Sequence, residues 1–280
     1  MKRLRAIFMQ LFDGWAPAAA TVSAGLLLLV GIFCPLLAPY DPLAISDSYG
    51  VGPSIQHPFG TDQLGRDVFS RVLYGTRLSL QVAGGAVGIA LLVGGLVGLV
   101  AGYFGGWVDE VISRLLDIMF AVPEVLLALV VMAVIGEGLG KIALAIAVVY
   151  TPIFARVCRG SVLSAKREVY VDAARAAGCS NVRIMFRHVL PAAAAPLIVQ
   201  TTLSLAFAIL AESALSFLGL SGETDTPSWG MMLRKGKDLM TNGKWWIAVF
   251  PGLAITLVVM SFNVLGDRLR DILDPRNTST

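Results

Sequence analysis

Charged residues are scarce in this sequence, and their scarcity excludes more than any motif does. Only 15% of the 280 residues are Asp, Glu, Lys or Arg, against 56% hydrophobic residues and a mean hydropathy of +0.75. A soluble domain of this length needs far less apolar surface, so the composition reads as a membrane protein. Histidine is nearly absent: His57 and His188 are the only two, and they fall in loops expected on opposite faces of a membrane. No His-Glu-x-x-His zinc pattern and no Gly-x-Ser-x-Gly nucleophile turn occurs, which removes the commonest hydrolytic chemistries. The three cysteines, Cys34, Cys158 and Cys179, are too far apart in sequence to suggest a disulfide framework or a metal site. Nucleotide binding is equally unsupported. Gly136-Glu137-Gly138-Leu139-Gly140-Lys141-Ile142 only imitates a phosphate-binding loop, because its glycines are one residue too close and no Ser or Thr follows Lys141.

What is present is a series of long apolar runs. A membrane-spanning helix takes about 20 such residues, and the sequence predicts six: 17–38, 78–103, 111–135, 139–157, 196–220 and 246–265. The runs are continuous and not alternating, so the fold class is an all-α polytopic membrane protein and not a β-barrel. The first run follows Lys2, Arg3 and Arg5 but is too long for the apolar stretch of a signal peptide, and Pro35 and Pro39 close it. It is read as a span. The expected organisation is a tail at 1–16, the first span, an external loop at 39–77, a five-helix unit at 78–265 and a tail at 266–280.

Lys and Arg crowd residues 156–187 and both tails, among them Arg156, Arg159, Lys166, Arg167, Arg175, Arg183, Arg187, Arg268, Arg270 and Arg276. Positive residues collect on the cytoplasmic side, so both termini and the 158–190 loop are expected there. These charges interrupt apolar runs and form no stripe interleaved with aromatics, which argues against nucleic acid as a partner. In the 39–77 loop, Leu64, Val68, Val72 and Leu73 recur at helical spacing after Thr61 or Asp62, and predict a short amphipathic helix. Two readings of it stand. Either it anchors the second span, or Arg66, Asp67 and Arg71, with Trp229 from the second external loop, dock an external partner.

The loop after the fourth span carries the sharpest local signal. Residues 171–177 are rich in Ala, the best helix former, and Gly178 follows where a helix-ending residue takes positive φ. Ser180 then suits the cap of a second helix through Arg183, Ile184, Phe186 and Arg187. Ala173, Ala174, Ala176 and Ala177 form a slim surface able to enter a cleft in a partner, with Arg175, Arg183 and Arg187 at its rim.

From Tyr170 to Pro191, with Asp172-Ala173-Ala174-Arg175-Ala176-Ala177-Gly178 and His188-Val189-Leu190-Pro191, this segment resembles the EAA loop of ABC-importer permeases. His57-Pro58-Phe59-Gly60-Thr61-Asp62, Thr226-Pro227-Ser228-Trp229-Gly230 and Phe262-Asn263-Val264-Leu265-Gly266-Asp267 are similar to the dipeptide, oligopeptide and nickel branch, in its C-type subunit. The resemblance implies a type I ABC-importer permease architecture in a bacterial or archaeal inner membrane. It also implies a homologous B-type permease, two cytoplasmic ATPases that bind ATP and Mg, and an external substrate-binding protein. No cofactor is expected on this chain, which is not itself an enzyme. Peptides, nickel chelates, opines and sugars are all carried within the family. A self-contained secondary transporter or channel is the alternative.

Within the spans, Glu124 and Glu212 stand out, because a carboxylate at the bilayer centre costs about 2.5 kcal/mol or more. Either one of them borders a translocation pathway and contacts polar or cationic cargo, or both are protonated or hydrogen-bonded between helices; Gln200 and Asn263 are weaker candidates of the same kind. Gly94, Gly98, Gly102 and Gly106 recur every fourth residue, as do Gly84 and Gly88. Such rows let helix backbones approach closely in lipid.

Overall fold

The computed structural model describes residues 14–222 and 225–273. The expected tails therefore fall mostly outside the described residues, including Lys2, Arg3, Arg5 and Arg276. Ten α-helices follow in chain order among those described: α1 (Trp15–Leu37), α2 (Val68–Phe104), α3 (Gly106–Phe120), α4 (Glu124–Ile135), α5 (Leu139–Ala165), α6 (Val169–Ala176), α7 (Asn181–Ile184), α8 (Leu190–Phe217), α9 (Trp229–Met240) and α10 (Trp246–Leu273). One turn of wider π-helix, Met185–Val189, joins α7 to α8. The only β-pairing among these residues is an isolated bridge between Thr61 and Asp67.

Five helical stretches are long and apolar enough to cross a membrane, and α3 with α4 make a sixth if the bent pair counts as one. That pair corrects the predicted third span. The chain turns by 95° between α3 and α4, because Pro123 has no N–H to continue the helix and holds an extended ψ of 135° as the cap of α4. The α3 half is also amphipathic. Its Asp109 binds Arg159 of α5 through both carboxylate oxygens, and its Asp117 meets Arg156 at 2.9 Å while Arg156 lies 3.8 Å over the Phe120 ring. These partners explain why α5 runs on to Ala165, well beyond the apolar stretch that predicted 139–157. Pro152, Pro196 and Pro251 all lie inside continuous helices.

The centre of the bundle is the contact of α2 with α5. A β-carbon on Gly94 would stand 2.4 Å from the Thr151 carbonyl oxygen, one on Gly98 2.2 Å from that of Ala155, and one on Gly102 2.8 Å from Val162. The two backbones therefore touch along three turns, as the glycine row predicts. Gly84, Gly88 and Gly106 meet nothing within 4 Å, so the rest of the expected row takes no part in this packing.

On another face of α2, Ser79 donates to Glu212 of α8 at 2.8 Å, and Ser216 and Ser213 donate to the same carboxyl at 2.9 and 3.4 Å. Glu212 is completely buried. It is a cross-link between α2 and α8 within this chain, and the pathway reading of Glu212 is set aside. On the flank, α1 joins α10 through the Ser23 and Ser261 hydroxyls, 2.7 Å apart, and turns Leu26, Leu29, Ile32 and Leu36 outward.

The segments 38–67, 218–222 and 225–245 share one end of the bundle, here the cap end. The predicted amphipathic helix is absent there. Residues 61–66 form a turn through Gly65 at φ 75°, and the helix starts at Val68, continuous with the second span. Asp67 caps it, accepting from the Ser70 N–H and hydroxyl at 2.7 Å each, and contacts His57 Nδ1 at 2.9 Å.

Two outcomes are expected from isolated chain in detergent. Gly98→Val should destabilise the bundle by about 1–3 kcal/mol, the usual cost of overpacking, whereas Gly88→Ala leaves its thermal midpoint close to wild type. Glu212→Ala should cost more than Glu212→Gln, since the amide still accepts from a serine and a methyl group leaves three buried hydroxyls unserved. Thermal unfolding monitored on the purified variants checks both orders.

Candidate partner-docking loop and intramembrane carboxylates

The end of the bundle opposite the cap is built around α6. Val171 and Ala174 turn inward and fix the helix to the core. Its C-terminus closes with two hydrogen bonds, Cys179 N–H to the Ala174 carbonyl and Gly178 N–H to that of Arg175, each 3.1 Å. This is the Schellman arrangement, and it requires the positive φ that Gly178 adopts, 76°. Ser180 then caps α7 by accepting from the Arg183 N–H at 3.4 Å. The second helix of the predicted pair is not separate. Through the π-turn that contains Arg187 and His188, it runs straight into α8, with Pro191 at that helix's second residue.

Tyr103, at the end of α2, ties this assembly down. Its hydroxyl donates to Asn181 at 2.8 Å, and its carbonyl accepts from the Lys166 ammonium at 2.5 Å. Tyr170, Asp172, Ala173, Arg175, Ala177, Gly178, Arg183, Arg187 and Pro191 are all exposed, and His188 is half-buried. Ala174 is the exception among the predicted contact residues, since it faces the core. Asp172 and Arg175 pair at 3.0 Å in the open, an arrangement that contributes little stability. Sequence reasoning missed three exposed apolar side chains on the same surface, Val169, Val182 and Phe186. An apolar side chain flanked by arginines reads equally as a core position, so only the fold reveals these.

The intramembrane candidates part company. Glu212 is buried as described. Gln200 donates to Ser204 at 3.1 Å and lines a cleft with Val157, Pro196, Leu203 and Arg270, opening toward the α6 end. Asn263 is half-buried on α10. Glu124 is exposed at the elbow between α3 and α4.

At the cap end the residues proposed for external docking are inside the chain. Arg66, Asp67, Arg71 and Trp229 expose 3, 2, 2 and 0% of their surface. Arg66 binds Asp62 at 2.7 Å and Asp225 at 3.0 Å, and Arg71 donates to the carbonyl of Pro42 at 2.8 Å. The Trp229 indole donates to the Val72 carbonyl at 3.0 Å. The hydrogen bond from Arg66 holds the Asp225 carboxyl below its ordinary pKa. Arg66 and Arg71 clamp the two cap-end loops together, Asp67 and Trp229 secure the start of α2, and all four are buried.

Comparison with known proteins agrees with this geometry. The family model described as binding-protein-dependent transport system inner membrane component matches residues 94–279. The chain is 47% identical over 253 residues to the dipeptide transport system permease protein DppC of Alkalihalophilus pseudofirmus, covering 90% of this chain and 83% of that one. It is 40% identical over 260 residues to the glutathione transport system permease protein GsiD of Pectobacterium atrosepticum, covering 92% and 86%. Among solved structures, inward-facing MetNI methionine ABC transporter superposes with a TM-score of 0.60 at 16% identity, covering 73% of this chain and 96% of that one, a likeness of fold alone. With its membrane-length helices and this alignment, the chain belongs to the binding-protein-dependent transport system inner membrane component family, as a multi-pass permease subunit of an ABC importer.

Proposed function

We propose that this chain forms one half of a translocation pathway for short peptides, with a homologous permease as the other half. Two ATPases dock on α6 and hold the ATP and magnesium, and an external binding protein delivers cargo at the cap end. The α6 end then faces the cytoplasm, with Lys166, Arg167, Arg175, Arg183 and Arg187 on that side as the positive-inside rule requires. The names of the relatives, which carry dipeptides and glutathione, support the cargo class.

One observation carries the docking reading: α6 is held rigidly on its inner face while Tyr170, Ala173 and Ala177 stand free on its outer face. Small side chains there let a partner's cleft close on the helix backbone, and Arg183 and Arg187 at the edge supply charge-assisted contacts. ATP binding would draw the ATPases together, carry α6 with them and favour the outward-open state; hydrolysis would restore the inward-open one. Such a cycle needs nucleotide to bind the two states with different affinity.

Gly178 tests the docking role. No atom lies within 4 Å of a β-carbon placed there, so a substitution acts only through the backbone. Gly178→Val should strain the turn by about 1–2 kcal/mol, lowering the population of the correct turn by a factor of about 5–30. Peptide uptake by the reconstituted complex should fall accordingly, while recovery of the chain with its permease partner is unchanged. Wild-type uptake in Gly178→Val would contradict the reading.

A further inference from the structure

We propose that the Glu124 carboxylate, at the elbow between α3 and α4, is a selectivity contact that receives the ammonium group of passing cargo. The inference rests on the translocation role proposed above and adds a residue and a ligand chemistry to it. Several carboxylates along these helices are partnered within the chain. Glu212 has three serine hydroxyls, and Asp109 and Asp117 each have an arginine. The Glu124 side chain makes no hydrogen bond or ion pair with any described residue.

Its depth makes that isolation significant. Along α4, Glu124 is ~17 Å from the cap-end turn at Gly136, and its neighbours Val149 and Tyr150 are ~15 Å into α5 from Leu139. With an apolar core ~30 Å thick, the carboxylate stands near the bilayer midplane. An ionisable group at that depth belongs against protein or water and not against lipid tails. The elbow provides such a place. Glu124 lines a cleft with Pro123, Val149 and Pro152, and beside it a small recess with Tyr150, Ala211 and Ala214. The position is also electrostatically suited to a carboxylate, because it begins a helix.

The chemistry of the site selects its ligand. No group of three or more His, Cys, Asp or Glu side chains among the described residues is placed to hold a metal ion, and a single carboxylate falls far short of the six or more oxygens a hard cation takes. A primary ammonium needs much less: one carboxylate suffices as its charged acceptor, and Tyr150 lines the same recess. The alanines around the recess leave room for a small apolar substituent next to the amine.

The test uses the whole complex in proteoliposomes, with uptake of alanyl-alanine measured against its N-acetyl derivative, which lacks the ammonium. The wild-type complex should prefer the free amine by about tenfold, the scale of one charge-assisted hydrogen bond. In Glu124→Gln that preference should collapse toward unity through loss of free-amine uptake, and Glu124→Asp should recover part of it. A preference retained in Glu124→Gln overturns the inference, as does an equal loss for both peptides, the result expected if Glu124 only neutralises a basic residue of the partner permease. Absence of alanyl-alanine uptake by the wild-type complex would instead remove the cargo reading on which the inference rests.

Discussion

The contact on which the rest of this chain depends is the approach of α2 to α5 at Gly94, Gly98 and Gly102. Between lipid-embedded helices there is no hydrophobic driving force, so van der Waals contact of backbone with backbone has to supply much of the association. Both functional regions are referenced to that contact. At one end it delivers Tyr103 and Lys166, whose hydrogen bonds fix the base of α6 and the start of α7. Halfway along, the same α5 presents Val149 and Pro152 to the elbow that carries Glu124. Spreading the two helices by a side chain's width would move the loop and the elbow together.

A second pattern is the economy with which polar groups are absorbed. Glu212 is buried with its own serine donors, α3 is held to α5 by arginine and aspartate, and Arg66 and Arg71 spend their donors on the two cap-end loops. Against that background the groups left open carry meaning. Among them are the outer face of α6, where small side chains are flanked by arginines, and the carboxylate of Glu124. In the proposed arrangement the first faces the ATPases and the second faces the cargo. In that arrangement the chain would offer one face to the energy source and one to the solute, joined by the α2–α5 helix pair.

Much of this was legible in the sequence, and the exceptions share a cause. Long apolar runs located the membrane helices because lipid demands about 20 apolar residues whatever the tertiary fold. The α6 turn was legible because Gly178 and Ser180 act locally, one by admitting positive φ and the other by capping. Proline permits a kink at 123, 152, 196 and 251 alike, and only the fold shows that the first turns the chain through 95° while the other three lie inside continuous helices. Arg66, Arg71 and Trp229 looked like surface residues because arginine and a loop tryptophan usually are. Their partners, Asp225 and the carbonyls of Pro42 and Val72, come from distant segments that only the fold brings near. Gly88 failed for a geometric reason: six residues before Gly94, it lies about 120° round the helix from the face that meets α5, so no backbone stands against it.

The most direct test of the central claim is site-specific photocrosslinking in native membranes, with a photoreactive amino acid placed at single positions of α6 and at the cap end. Crosslinks from Tyr170, Ala173 and Ala177 to an ATPase subunit, and none from the exposed cap-end Trp245, are the result this account predicts. An ATPase captured from Trp245, or no ATPase captured from any α6 position in membranes that import cargo, would contradict it.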